Sequence, residues 1–315
     1  MKIRRHLSLL IFSLVILAFS ASSFADGCFF GYKDLEEPSQ VGVIVTGRGE
    51  EDLILFVNAQ TDAEDFAWVV PVPSYPTVKE AKSSLFYDLS YITTYHPHPS
   101  PFTCGTGNIV FAPGGEDVHV WETIDVGIYE TTILSSENSR ALINWLNQNG
   151  YTFPKDAQDV IDYYIQKKYF FIAMKVKKNE NETFGYYMGI NPIHIHFATD
   201  KTIYPLKISS ISAAPVVEVL LYIFDKKPRT YPGFDIEYSE YLKPNEYEDY
   251  PTLNELLKGE SFYLTKLRAH LTPEEMTEDM VFSDCRTKEA SIINAPIAQL
   301  FVIGIFGIIS RYIFK

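Results

Sequence analysis

Twenty consecutive positions near the C-terminus carry no charge. Residues 291–310 read SIINAPIAQLFVIGIFGIIS. A bilayer core of roughly 30 Å is crossed by about 20 such residues in a helix. Ile and Phe fall on every side of that helix, which leaves no polar stripe to face water. Arg311 and Lys315 follow at once, and a basic tail stays on the inner side of the membrane. The segment therefore reads as a transmembrane helix over 291–310 with a cytoplasmic tail at 311–315. Pro296 and Gln299 weaken the span. Gly304 and Gly307 are three apart and make no GxxxG pairing motif.

The N-terminus fixes which side the rest of the chain faces. Residues 1–25 read MKIRRHLSLLIFSLVILAFSASSFA. Lys2, Arg4 and Arg5 precede an apolar run over 7–19, and Ser23-Phe24-Ala25 meets the small-x-small rule for cleavage. This is a signal peptide, with cleavage after Ala25. Cys28 is a poor lipoprotein cysteine, because Asp26 and Gly27 stand before it and Ala25 occupies the place usual for Leu. Residues 26–290 are thus expected outside, as the extracytoplasmic domain of a single-pass protein of the cell membrane. Cys28, Cys104 and Cys285 would meet an oxidising compartment, which allows one disulfide and one leftover thiol. The pairing stays open, and no CxxC pair supports a zinc ribbon or a thioredoxin-type site.

The net charge of -13 excludes one class of partner. Both end segments are basic and contain no carboxylate, so the displayed part is more acidic still. Such a surface repels phosphate backbones, and nucleic acid is not expected to bind. Aromatics make up 15% of the chain, with Tyr 21 and Phe 22. That excess suits β-structure and contact surfaces with an apolar body and a polar tip.

Local patterns predict a β-rich domain. Residues 41–46 and 52–59 read as a hairpin around a Gly-containing loop at 47–51. FAWVVPVP over 66–73 reads as a strand whose prolines place it at an edge or end its ladder early. Residues 78–93 carry apolar positions at helical spacing. The Pro- and Gly-rich stretch 96–115 reads as loop, and 118–134 returns to strand. Helices are predicted over 136–149 and 155–168, stopped by Gly150 and started after Pro154. Further strands are expected over 169–177, 185–190, 193–198, 206–211, 216–224 and 261–267. A short helix is expected over 253–257 and a turn over 273–276 capped by Thr272. The acidic, Tyr-rich stretch 235–250 reads as loop. The sum is an α+β fold with mainly antiparallel sheet and a few helices. The βαβ alternation of a nucleotide-binding fold is missing.

Three segments carry a resemblance. They are DFAWVVPVP over 65–73, HFATD over 196–200 with Tyr204-Pro205-Leu206, and LTKLRAHLTPEEM over 264–276. They resemble the exported bacterial proteins of domain-of-unknown-function family 2330. That family shares the layout of signal peptide, domain and frequent C-terminal anchor. The resemblance implies one fold across most of the displayed chain. It implies no activity, and no residue role is carried over from it.

Few residues point to chemistry. His96 and His98 lie in HPHP, and His194 and His196 in IHIH. Histidines at i and i+2 on a strand share a face, and paired imidazoles bind zinc or copper when further ligands converge. Cys104 and Glu116 stand near the first pair. Trp68 reads as a core anchor, with an aromatic platform for sugar or peptide as the alternative. The carboxylates of 235–249 lack the EF-hand arrangement and read as a solvated face. GxSxG, HExxH, the Walker loop and GxGxxG are absent from the sequence. The expectation is a non-enzymatic, membrane-anchored envelope protein with a binding or assembly role and no cofactor. Its partner would be another envelope protein or a saccharide. The alternative is an extracytoplasmic hydrolase or zinc-dependent enzyme built on the HPHP and IHIH histidines.

Overall fold

A computed structural model describes residues 28–31, 36–60, 66–94, 118–151, 153, 157–176, 187–189, 191–211 and 213–284. The strands begin with β1 (Cys28–Gly31), β2 (Glu36–Gly47), β3 (Glu50–Gln60), β4 (Phe66–Val72) and β5 (Thr77–Glu80). Helix α1 (Ser84–Thr94) follows, then β6 (Val118–Val126) and β7 (Tyr129–Ser136). Next come helices α2 (Ser139–Gln148) and α3 (Gln158–Gln166). The chain continues through β8 (Phe170–Val176), β9 (Tyr187–Gly189), β10 (Ile193–Ala198), β11 (Ile203–Tyr204) and β12 (Ala213–Asp225). After β13 (Arg229–Thr230) and β14 (Asp235–Leu242) comes helix α4 (Pro251–Leu257). It ends with β15 (Phe262–Leu271), β16 (Met280–Val281) and β17 (Ser283–Asp284).

The strands make two main sheets. A five-stranded sheet runs β1-β4-β8-β7-β6. An eight-stranded sheet runs β14-β15-β12-β2-β3-β10-β5, with β9 also pairing β3. Among the described residues the pairings are antiparallel except that of β12 with β2, which is parallel. The fold is therefore α+β with mainly antiparallel sheet and, among the described residues, four α-helices.

Period-2 alternation sorts the apolar residues into layers. Ile44, Leu53 and Leu55 of the larger sheet, with Leu221 and Ile223 of β12, form one buried cluster with Trp68, Val70, Ile172 and Met174 of the smaller sheet. The opposite face of the smaller sheet, through Ala67, Val69, Phe171 and Ala173, packs on Leu142 and Leu146 of α2 and Ile161 and Tyr164 of α3. The opposite face of the larger sheet, through Val43, Val45, Ile54 and Phe224, packs on Leu85 and Leu89 of α1 and Leu253 and Leu257 of α4. The result is four layers: helices, sheet, sheet, helices. Each fully buried Leu, Ile or Val contributes about 1.5–3 kcal/mol relative to exposure.

Several local expectations change in physical detail. The hairpin loop is only Arg48-Gly49, with φ of 60° and 84°. Two successive left-handed residues make the tight turn that matches strand twist. Residues 78–93 divide into β5 and α1, because Thr77–Glu80 pairs with β10. Among the described residues β1 covers strand β4 only from Phe66 to Val69, so there Pro71 has a ladder partner on the β8 side alone. The strand expected over 206–211 is instead a 3-10 turn at Lys207–Ile211. Its first two amides go to side chains: Lys207 N donates to Asp279 Oδ1 and Ile208 N to the Tyr164 hydroxyl. The loop expected over 235–250 begins with β14, which pairs with β15 through a bulge between Ile236 and Tyr238.

Among the described residues no helix is long and apolar enough to cross a membrane. The segments 1–25 and 291–310 lie outside the described residues, as do Cys104 and Cys285.

Candidate functional site

Strand β10 places His194 and His196 on the face turned to α1 and α4, since Ile193, Ile195 and Phe197 take the face between the sheets. Register with β3 sets His196 opposite Asp52 and His194 opposite Ile54. The Asp52 carboxylate reaches both rings. Its Oδ1 lies 2.6 Å from His194 Nε2 and 3.0 Å from His196 Nδ1. Glu50 stands further out, its Oε2 3.9 Å from His196 Nε2.

A carboxylate oxygen accepts and cannot donate. His194 Nε2 and His196 Nδ1 therefore act as the donors to Asp52. Burial pushes the Asp52 carboxyl up, but the hydrogen bonds and charge of His194 and His196 outweigh it and hold the group below its ordinary value. The adjacent Glu51 has the opposite fate. It points between the sheets and is fully buried, and burial raises its carboxyl well above the usual range despite the bond from Ile203 N. Neighbouring carboxylates on one strand are thus shifted in opposite directions because they face different layers.

Two small clefts flank Asp52. One, of about 180 Å³, is lined by Asp52, His194, Lys79, Lys82, Glu255 and Lys258, among others. The other, of about 130 Å³, includes Arg48, Glu50, Asp52, Lys226 and Glu260. Both are smaller than the roughly 300–1,000 Å³ of ordinary small-molecule pockets. Among the described residues no group of three or more His, Cys, Asp or Glu is arranged to hold a metal ion.

A different surface gathers aromatic rings. Trp121 of β6 is 50% exposed and Tyr75 is 43% exposed. Their centroids are 5.6 Å apart, and Phe170 lies 5.6 Å from Trp121 and 5.7 Å from Tyr75. The His119 ring meets Trp121 edge-on at 4.5 Å. Trp121 Nε1 donates to Ser135 Oγ at 2.8 Å, and the Tyr75 hydroxyl donates to Glu122 at 3.2 Å. The strand that carries this ledge ends the five-stranded sheet, and its register shifts between Val120 and Glu122. A bulge there re-aims the Trp121 side chain.

A family model described as an uncharacterized protein conserved in bacteria, DUF2330, matches residues 28–283. The chain belongs to this family. The DUF2330 match takes in both sheets, the Asp52 cluster and the Trp121 ledge. No curated protein is matched by the chain. Among solved structures it is similar to baculovirus P35, at 8% identity and a TM-score of 0.37, over 81% of this chain and 98% of that one. A likeness that loose carries no argument.

Within this DUF2330 chain, the structure brings His194 and His196 together and adds Asp52, which the sequence does not single out. Asp52 is marked there only by its place in a hairpin strand, and the β3–β10 register alone reveals the partnership. His96 and His98 lie outside the described residues, so the HPHP pair has no position relative to IHIH. Trp68 is 1% exposed in the core between the sheets. Its indole offers no face to a ligand, which corrects the platform reading. Trp121 escapes the sequence because an alternating strand does not announce that it sits at a sheet edge.

Proposed function

We propose that this chain is a non-enzymatic, membrane-anchored envelope protein whose extracytoplasmic domain binds a saccharide. The signal peptide is 1–25, the displayed domain 26–290, the membrane helix 291–310 and the cytoplasmic tail 311–315. The address rests on the two apolar ends and their flanking charges. The binding role rests on one observation: Trp121 is held half-exposed by three neighbouring rings and by its bond to Ser135. A rigid indole offers its apolar face to a sugar ring with little ordering cost. Glu122 and His119 supply polar groups beside it for hydroxyls.

The test is fluorescence titration of the full chain in detergent with N-acetylglucosamine oligomers and with purified cell-wall glycan. Saturable quenching that disappears in Trp121→Ala, at unchanged melting temperature, is the expected result. Equal binding by Trp121→Ala and the unaltered chain rejects the ledge. If instead a membrane protein is captured through Trp121, the partner is another envelope protein.

A second reading is an extracytoplasmic hydrolase or zinc-dependent enzyme using the histidines. The observation favouring it is Asp52 bridging His194 and His196. Elemental analysis of the purified, untagged protein tests it. Near-stoichiometric zinc that falls on His194→Ala would favour this reading over the non-enzymatic one.

A further inference from the structure

Helix α1 carries a second aromatic surface, separate from the Trp121 ledge. Tyr87 and Tyr91 are one turn apart and so share a face. They are 76% and 55% exposed. Tyr250, which precedes α4, closes the other side, with its ring centroid 6.4 Å from that of Tyr91 at an interplanar angle of 46°. The cleft between them is about 630 Å³ and is lined by Tyr87, Asp88, Ser90, Tyr91, Thr94 and Tyr250. Among the described residues that line it there is a carboxylate but no lysine or arginine. Asp249 adds a second negative charge close to Tyr250.

We propose that this cleft receives a lysine side chain of a partner polypeptide. An ammonium is attracted to an aromatic face within about 6 Å of the ring centroid. Centroids 6.4 Å apart let one cation lie within that reach of both Tyr91 and Tyr250. Asp88 then supplies the countercharge. The chain uses the same chemistry internally: Lys167 sits 3.9 Å from the Tyr163 centroid and Lys175 4.8 Å from that of Tyr151. Charge complementarity selects the occupant, since the chain carries a net charge of -13 and this cleft adds a carboxylate to its rings. Neither Trp121 nor Tyr75 contributes to the cleft, so lysine binding stands apart from the saccharide reading.

The experiment is isothermal titration of the full chain in detergent with the peptide acetyl-Gly-Lys-Gly-Lys-Gly-amide. The same peptide with both lysines acetylated and tetramethylammonium chloride serve as the other probes. Saturable binding of the basic peptide is expected, weakened at least about tenfold by lysine acetylation or by Tyr91→Ala. Tyr91→Phe keeps the ring and should retain binding. Tyr87→Ala removes a largely exposed ring and should also weaken binding, in a variant whose core is untouched. Trp121→Ala should bind as the unaltered chain does. No saturable binding, equal binding of the acetylated peptide, or full binding by Tyr91→Ala overturns the proposal. Binding of tetramethylammonium without the peptide would overturn the choice of a polypeptide.

Discussion

Tyr164→Phe removes a single oxygen that joins three parts of the fold. The hydroxyl donates to Asp279 Oδ1 at 2.6 Å and accepts from Ile208 N at 2.8 Å. Asp279 is buried, and its Oδ2 finds no hydrogen-bond partner among the described residues. Burial pushes its carboxyl from an ordinary 3.8 up to about 6, while the Tyr164 bond pulls it back. A hydrogen bond to a charged group contributes about 1.5–3 kcal/mol, and an orphaned buried amide costs about 1–3 kcal/mol. The expected loss near pH 7.5 is therefore about 2.5–6 kcal/mol. The sign of the pH effect follows from the raised carboxyl. Its contribution to stability is fully present below the unfolded value and is lost as pH rises through about 6. Removing the hydroxyl raises the group further, so the variant is penalised more at pH 7.5 than at pH 4.5. At the lower pH the remaining loss is about 1.5–4.5 kcal/mol, from the amide and a neutral bond, smaller by about 1–1.5 kcal/mol than at pH 7.5. Urea unfolding of both proteins in detergent, followed by tryptophan fluorescence, gives the two differences. Equal losses at both pH values, or a loss under about 1 kcal/mol at pH 7.5, would refute the reasoning.

Other substitutions separate core from surface. Trp68→Ala should cost about 3–5 kcal/mol, whereas Trp121→Ala should change stability by less than about 1 kcal/mol; thermal melts compare them. Gly42→Ala places a Cβ 2.8 Å from Leu221 Cδ2 and 2.9 Å from Tyr204 Cε2. The Tyr204 hydroxyl is tied to Gln40 Oε1 at 2.7 Å and yields poorly, so a loss of about 1–3 kcal/mol in urea unfolding is expected. Asp52 has a depressed carboxyl, so its contribution is present above the unfolded value and lost as pH falls through the folded one. Asp52→Asn should flatten that acid limb of a stability-versus-pH curve, and an unchanged limb would argue against the His194–Asp52–His196 contact.

Much of this architecture is legible in the sequence, for reasons that differ by element. Strand β10 is readable because Ile193, Ile195 and Phe197 alternate with His194 and His196, and alternation directly encodes two faces. Helix α2 is readable from Gly150 at its end, where φ is 83°. The 3-10 turn at Lys207–Ile211 is not, because its first two amides are claimed by Asp279 and Tyr164, residues distant in sequence. Strand β14 is hidden by its acidic composition, although Tyr238 and Leu242 are buried. The parallel contact of β2 with β12 leaves no local mark. For the site, the histidine pair can be read from spacing. Asp52 and Trp121 cannot, because one depends on strand register and the other on position at a sheet edge.

Orientation of the displayed domain is the claim on which the proposed role depends. Protease added to intact spheroplasts should digest residues 26–290 and leave a short C-terminal fragment with the membrane. A domain that stays intact until the membrane is broken would contradict the account.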